Sequence, residues 1–117
     1  MISPHRSCTV LLLSFLAAVP AVAATPQEQA VEALGVLNGT ALHCHYMDEV
    51  RRIKSVVVAH APRTRPMGAV FETATNESYL AFSQEQRACP PPDDFTREVD
   101  AAIEALQAAS APGERTN

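Results

Sequence analysis

The sequence predicts an all-α protein, a small bundle of three or four helices tied by one disulfide. Three observations lead to that class. Apolar residues recur at three- and four-residue intervals along most of the chain beyond residue 25. The one β-branched run, Val56-Val57-Val58, has no partner run with which to build a sheet. After an export signal is removed, two cysteines remain, and two cysteines allow one intramolecular pairing. Of the 117 residues, 47% are hydrophobic and 19% charged, a balance that fits a globular chain and argues against disorder.

Residues 1–24 read as a cleaved secretory signal peptide. Met1–Arg6 carries one arginine, Val10–Val19 is an apolar run, and Ala21-Val22-Ala23-Ala24 offers the small residues that a signal peptidase reads. The apolar run is about half the roughly 20 residues needed to cross a bilayer. Cys8 precedes that run and leaves with it. No second apolar segment follows, so the product is expected to be periplasmic or secreted, with no membrane span after cleavage. Removal takes away one cation, Arg6, and none of the 13 carboxylates, so the net charge moves from −4 to −5. That balance disfavours nucleic acid, which calls for a dense basic face.

What remains is one domain, residues 25–109, with a disordered polar tail at 110–117. Its length excludes dinucleotide-binding, barrel and kinase-like folds. With no Trp and 5% aromatic residues, a large aromatic-lined pocket is not expected. Cys44 and Cys89 are therefore assigned to a disulfide. Closing a loop of this length stabilises a fold by roughly 3–4 kcal/mol in the chain-entropy account. No Cys-x-x-Cys spacing suggests a redox pair.

The elements follow in order. Thr25-Pro26-Gln27-Glu28 is a helix-start signature, and Val31, Leu34 and Leu37 follow at helical spacing. Asn38-Gly39-Thr40 can end this helix and cap the next, or a single bent helix can run through it. Ala41–Ala59 is the strongest helical stretch, with Tyr46, Val50, Ile53 and Val57 in one stripe. Cys44 lies about 150° from the centre of that stripe, so the disulfide should tie a second face of the helix to another element. His60–Pro66 reads as a loop because Pro62 and Pro66 interrupt helical geometry. Met67–Arg87 reads as a third helix with Val70, Phe71, Ala74, Ala81 and Phe82 on its apolar face, and with a kink near Asn76. Cys89-Pro90-Pro91-Pro92 is a stiff connector. Asp93 or Asp94 caps the last helix, where Phe95, Val99, Ala102, Ile103 and Leu106 form the apolar face.

Chemistry-bearing clusters are few. His43 and Met47 stand four apart, with His60 further on, and His with Met suits copper. His43 and His45 would point about 160° apart on a helix and could not share an ion. Arg51, Arg52, Lys54, Arg63 and Arg65 place five of the eight remaining cations within 15 positions. The last helix carries Asp93, Asp94, Glu98, Asp100 and Glu104. The basic run either complements that acidic face within the molecule or meets an acidic partner. No nucleophile elbow, phosphate loop or His-Glu-x-x-His is present, and no cofactor or enzymatic activity is expected. Asn38-Gly39-Thr40 and Asn76-Glu77-Ser78 match the glycosylation sequon.

An amphipathic opening segment, Cys44 at the head of a helix, a long helical middle, and Ala88-Cys89 leading through Phe95 into a charged last helix together form a layout. It resembles the HdeA-type periplasmic acid-stress chaperones over most of residues 41–106. The aromatic residues that flank the first cysteine in that family are replaced by His43 and His45. The resemblance implies a small, exported, all-helical protein held by one disulfide. The expectation is a non-enzymatic module that binds another exported or periplasmic protein, as a stress chaperone or as an inhibitor or immunity-type protein. A periplasmic copper-binding protein using His43, Met47 and His60 is the alternative.

Overall fold

The computed structural model describes residues 23–111. The signal peptide expected at 1–24 falls almost wholly outside them, as does the part of the expected tail beyond residue 111. Four helices make up the described chain: α1 (Pro26–His43), α2 (Met47–His60), α3 (Arg65–Glu85) and α4 (Pro92–Ala109). No strand is present among the described residues.

Helix α1 starts as its sequence directs. Thr25 Oγ1 accepts from the Glu28 N–H at 3.1 Å, and the Glu28 carboxylate accepts from the Thr25 N–H at 3.3 Å. It then runs unbroken through Asn38-Gly39-Thr40 to His43, so of the two readings of that triplet the helix stop does not occur. The reason is tertiary. Gly35, Asn38, Gly39 and Thr40 are buried, and they form the surface on which α3 lies. A Cβ on Gly39 would stand 2.4 Å from the Thr75 carbonyl oxygen, and one on Gly35 would stand 2.7 Å from Ala74 Cβ. Two glycines four apart, facing Ala74 and Ser78, let the two backbones approach closely. That packing offsets the roughly 1 kcal/mol of helix propensity each glycine gives up.

The end of α1 is made by His45 in the left-handed region, φ 60°. The Tyr46 N–H bonds the Ala41 carbonyl at 2.8 Å and the His45 N–H bonds Leu42 at 3.4 Å, a Schellman arrangement with histidine in the place usually taken by glycine. Cys44 therefore caps α1 and is not on α2 at all, and Tyr46 precedes α2. The expected helix over Ala41–Ala59 is thus divided between two elements. Within α2 the stripe holds: Val50 and Ile53 are buried and Val57 packs against them.

Helix α3 begins two residues earlier than expected, because Thr64 caps it by accepting the Met67 N–H at 3.3 Å and Pro66 occupies its first turn. It continues without a break past Asn76, with Thr75 and Ser78 buried against α1. Helix α4 begins at Pro92 with Pro91 as its cap. Asp93 and Asp94, expected as caps, stand inside the first turn, where carboxylates complement the partial positive charge of the helix start. Phe95, Val99, Ile103 and Leu106 are buried as their spacing implies. Ser110, assigned to the tail by its sequence, caps α4 and donates from Oγ to the His60 carbonyl at 2.8 Å.

Helix α1 is the axis of the molecule. It packs on α2, α3 and α4, while α2 also meets α4 and α3 touches α1 alone. The apolar core is built mainly by three helices: Val31 and Leu34 of α1, Val50 and Ile53 of α2, and Phe95, Val99, Ile103 and Leu106 of α4. Helix α3 adds Met67, with Val70 and Phe71 packed at the core's edge, and its other buried residues, Ala74, Thr75 and Ser78, are small or polar. Ser78 Oγ donates to the Val36 carbonyl at 2.7 Å and lies 3.4 Å from Thr40 Oγ1, and Asn38 Nδ2 donates to Thr75 Oγ1 at 3.2 Å.

The disulfide joins Cys44 to Cys89 with Cα atoms 5.8 Å apart. It links the α1–α2 turn to the α3–α4 connector and does not tie down a second face of α2. Beside it, Tyr46 OH donates to the Pro90 carbonyl at 2.6 Å and its ring packs 5.4 Å from that of Phe95. One turn and one connector are therefore clamped twice, by a covalent bond and by a hydrogen-bonded aromatic.

Candidate binding cleft between α2 and α3

Helices α2 and α3 diverge from a short connector, Ala61–Thr64, because α2 leans on α1 and α4 while α3 follows α1. The divergence leaves a wedge-shaped cleft of about 760 Å³. That size falls within the ~300–1,000 Å³ usual for ligand sites. Its floor comes from Asn38 and Leu42 of α1. One wall carries Lys54, Val57 and Val58 of α2, the other Met67, Gly68, Phe71 and Glu72 of α3, and Pro62 and Arg63 stand at the apex. Val58 is 63% exposed, so a large apolar side chain on the α2 wall is left facing solvent. Gly68 puts no side chain on the α3 wall, and a Cβ there would meet nothing within 4 Å.

Two polar features of the cleft concern unpaired groups. Lys54 and Arg63 border it with no carboxylate in ion-pair range among the described residues. Asn38 is 1% exposed, and its Oδ1 accepts no hydrogen bond. Leaving a buried acceptor unpaired costs about 1–3 kcal/mol. Two smaller depressions differ in kind. One of about 460 Å³ between α1 and α4 is lined mostly by alanine, and one of about 350 Å³ between α1 and α3 carries Glu32 and Glu77. Neither has a cation.

The basic run identified in sequence is divided by the fold. Arg51 pairs with Asp48 on its own helix. Arg52 bridges Glu49 at 3.0 Å and Asp100 at 2.6 Å, joining α2 to α4, and Glu49 also accepts from Thr96 Oγ1 at 3.0 Å. Burial alone would lower the Arg52 pKa, but the hydrogen bond with Asp100 and the charges of Glu49 and Asp100 outweigh it and hold the guanidinium above its ordinary value. Complementarity between the basic run and the acidic last helix is thus realised at Arg52. Lys54 and Arg63 turn to the cleft, and Arg65 opens α3.

Of the residues considered for copper, Met47 and His60 are held at opposite ends of one helix. His43 ends α1, its ring 5.7 Å from Tyr79 and 5.6 Å from Phe82, with Nδ1 3.3 Å from Ser83 Oγ. Met47 opens α2 and His60 closes it. Thirteen residues of helix separate those two by about 20 Å. His43 and His45 lie on a helix end and in a turn, so the helical angle expected between them does not apply. No group of three or more His, Cys, Asp or Glu able to hold a metal occurs among the described residues. Of the two sequons, Asn38 is buried while Asn76 is exposed at the edge of the cleft.

Sequence reasoning missed Asn38, Gly68 and Phe71 as cleft residues. One signal was available: Val56, Val57 and Val58 are consecutive on a helix and cannot all face one core. Among the described residues no helix is long and apolar enough to cross a membrane. Comparison with known protein families, curated proteins and solved structures finds no match to this chain.

Proposed function

We propose that this chain is an exported, non-enzymatic module that binds another protein through the cleft between α2 and α3. The observation that carries the reading is the cleft itself: an apolar wedge with unpaired cations at its border, built on a scaffold clamped by a disulfide. A rigid frame presenting a preformed apolar recess binds with a small ordering cost. Export is supported by the signal pattern of residues 1–24 and by a disulfide, which persists in oxidising compartments. The HdeA-like layout supports the chaperone form of this function, and a single partner at neutral pH would be the inhibitor or immunity form.

The test is capture from periplasmic extract by the tagged, oxidised protein at neutral and at acid pH, with Gly68→Leu and Arg51→Ala alongside. Leucine at position 68 adds a bulky side chain to a residue that lines the cleft, where a Cβ meets nothing within 4 Å, whereas Arg51 lies on an exposed face. Capture that Gly68→Leu abolishes and Arg51→Ala leaves intact is expected. Many clients at acid pH alone would mark a chaperone, and one stoichiometric protein at neutral pH an inhibitor. Capture indifferent to Gly68→Leu, or none at either pH, overturns the proposal.

A further inference from the structure

We infer that the segment received by the α2–α3 cleft is a short apolar peptide stretch bearing a carboxylate, an inference that rests on the protein-binding reading above. Four features of the cleft specify it. The α3 wall from Thr64 to Asn76 spans about 18 Å at the helical rise, room for about five extended residues. The walls offer aliphatic and aromatic carbon from both sides, from Val57 and Val58 opposite Met67 and Phe71. Such surfaces gain by covering apolar side chains of an occupant.

Charge supplies the second requirement. The whole chain is acidic, with net charge −4, yet the cleft is lined by Lys54 and Arg63 against one carboxylate, Glu72. Among the described residues neither cation has an internal partner, in contrast to Arg51, Arg52, Arg87 and Arg97, which all do. A local cationic border on an acidic protein selects for a negative group and disfavours a positive one.

The third feature separates a peptide from an alkyl chain. Thr64 and Asn76 line the cleft and are exposed at the two ends of the α3 wall. A fatty acyl chain presents only carbon to them. A peptide brings backbone N–H and carbonyl groups that can pair with their hydroxyl and amide groups. The fourth is Gly68, whose bare backbone and open surroundings let another main chain come close to α3.

The experiment is a titration of the oxidised, isotopically labelled chain followed by amide NMR. The probes are an acetylated pentapeptide of leucine and phenylalanine with a free terminal carboxylate, the same peptide as its terminal amide, and decanoate. The acid peptide should shift the amides of Val57, Val58, Gly68 and Phe71. The amide peptide should bind about fivefold more weakly, as expected from losing two solvent-exposed ion pairs. Lys54→Gln combined with Arg63→Gln should bring the acid peptide to the affinity of the amide, and Gly68→Leu should abolish the shifts while the rest of the spectrum stays native. Decanoate saturating the cleft while the peptide leaves it unshifted would overturn the inference in favour of a lipid. Equal affinity of acid and amide peptides would overturn the charge requirement. If no probe binds but extract capture remains sensitive to Gly68→Leu, this inference fails and the protein-binding reading stands. Loss of both removes both.

Discussion

Replacing Gly39 with alanine adds one methyl group at the tightest point of the α1–α3 contact. The new Cβ would lie 2.4 Å from the Thr75 carbonyl oxygen, 2.7 Å from Ser78 Cβ and 2.8 Å from the Tyr79 nitrogen. Two of these atoms are backbone and cannot swing aside, so α3 must retreat by about 1 Å to reach ordinary contact. A retreat of that size forfeits a quarter to a half of the dispersion attraction across the seam. It also stretches the Ser78–Val36 and Asn38–Thr75 hydrogen bonds, now 2.7 and 3.2 Å, to or beyond the limit of bonding. Overpacking costs about 1–3 kcal/mol, and each buried bond lost about 1 kcal/mol more. Against this, alanine regains about 1 kcal/mol of helix propensity. The balance is a loss of about 3 kcal/mol, or roughly 15 °C in Tm for a domain of this size. Thermal and urea denaturation of the oxidised protein, followed by far-UV circular dichroism, measures it. Gly68→Ala is the control, because its Cβ meets nothing and the change should stabilise by up to about 1 kcal/mol. If both alanines shift stability in the same direction, the close approach of α1 and α3 is refuted.

Four further outcomes are expected. Cys44→Ser with Cys89→Ser opens a 45-residue loop and should cost about 4 kcal/mol. Tyr46→Phe should cost about 1 kcal/mol alone and combine non-additively with the cysteine changes, since both hold the same turn; additive thermal melts would show two independent clamps. Arg52→Ala breaks an α2–α4 bridge whose side chains are partly solvated, so the loss should stay below about 1 kcal/mol and shrink in high salt. A salt-independent loss above about 2 kcal/mol would contradict that. Asn38→Ala removes one hydrogen bond and an unpaired acceptor but leaves a cavity at a fully buried site, so stability should fall by about 1–3 kcal/mol in urea denaturation. An unchanged stability would contradict the buried setting of Asn38.

Legibility of the fold followed the range of the interaction. The capping box at Thr25 was readable because both partners lie within four residues. The stripe of Phe95, Val99, Ile103 and Leu106 was readable because α4 presents one face to the core. Helix α1 was the hardest because it is central and meets three neighbours, so its buried positions do not form one stripe. The helix ends at His45 and Gln86 were missed for another reason. Both take positive φ without being glycine, and no local pattern marks them. The cleft was nearly invisible, since its residues come from three helices and a connector.

The all-helical class, most of the apolar stripes and the Cys44–Cys89 pairing are legible in the chain's order of residues. These depend on periodicity along one helix or on the arithmetic of two cysteines. The tertiary structure decided that Asn38-Gly39-Thr40 is a contact surface and not a helix stop. It also decided that Arg52 is bound internally while Lys54 and Arg63 face a cleft. Small and polar residues have no fixed role in an isolated segment. Whether Gly39 ends a helix or seats one depends on Thr75 and Ser78, more than thirty residues away, and only the folded chain brings them within contact.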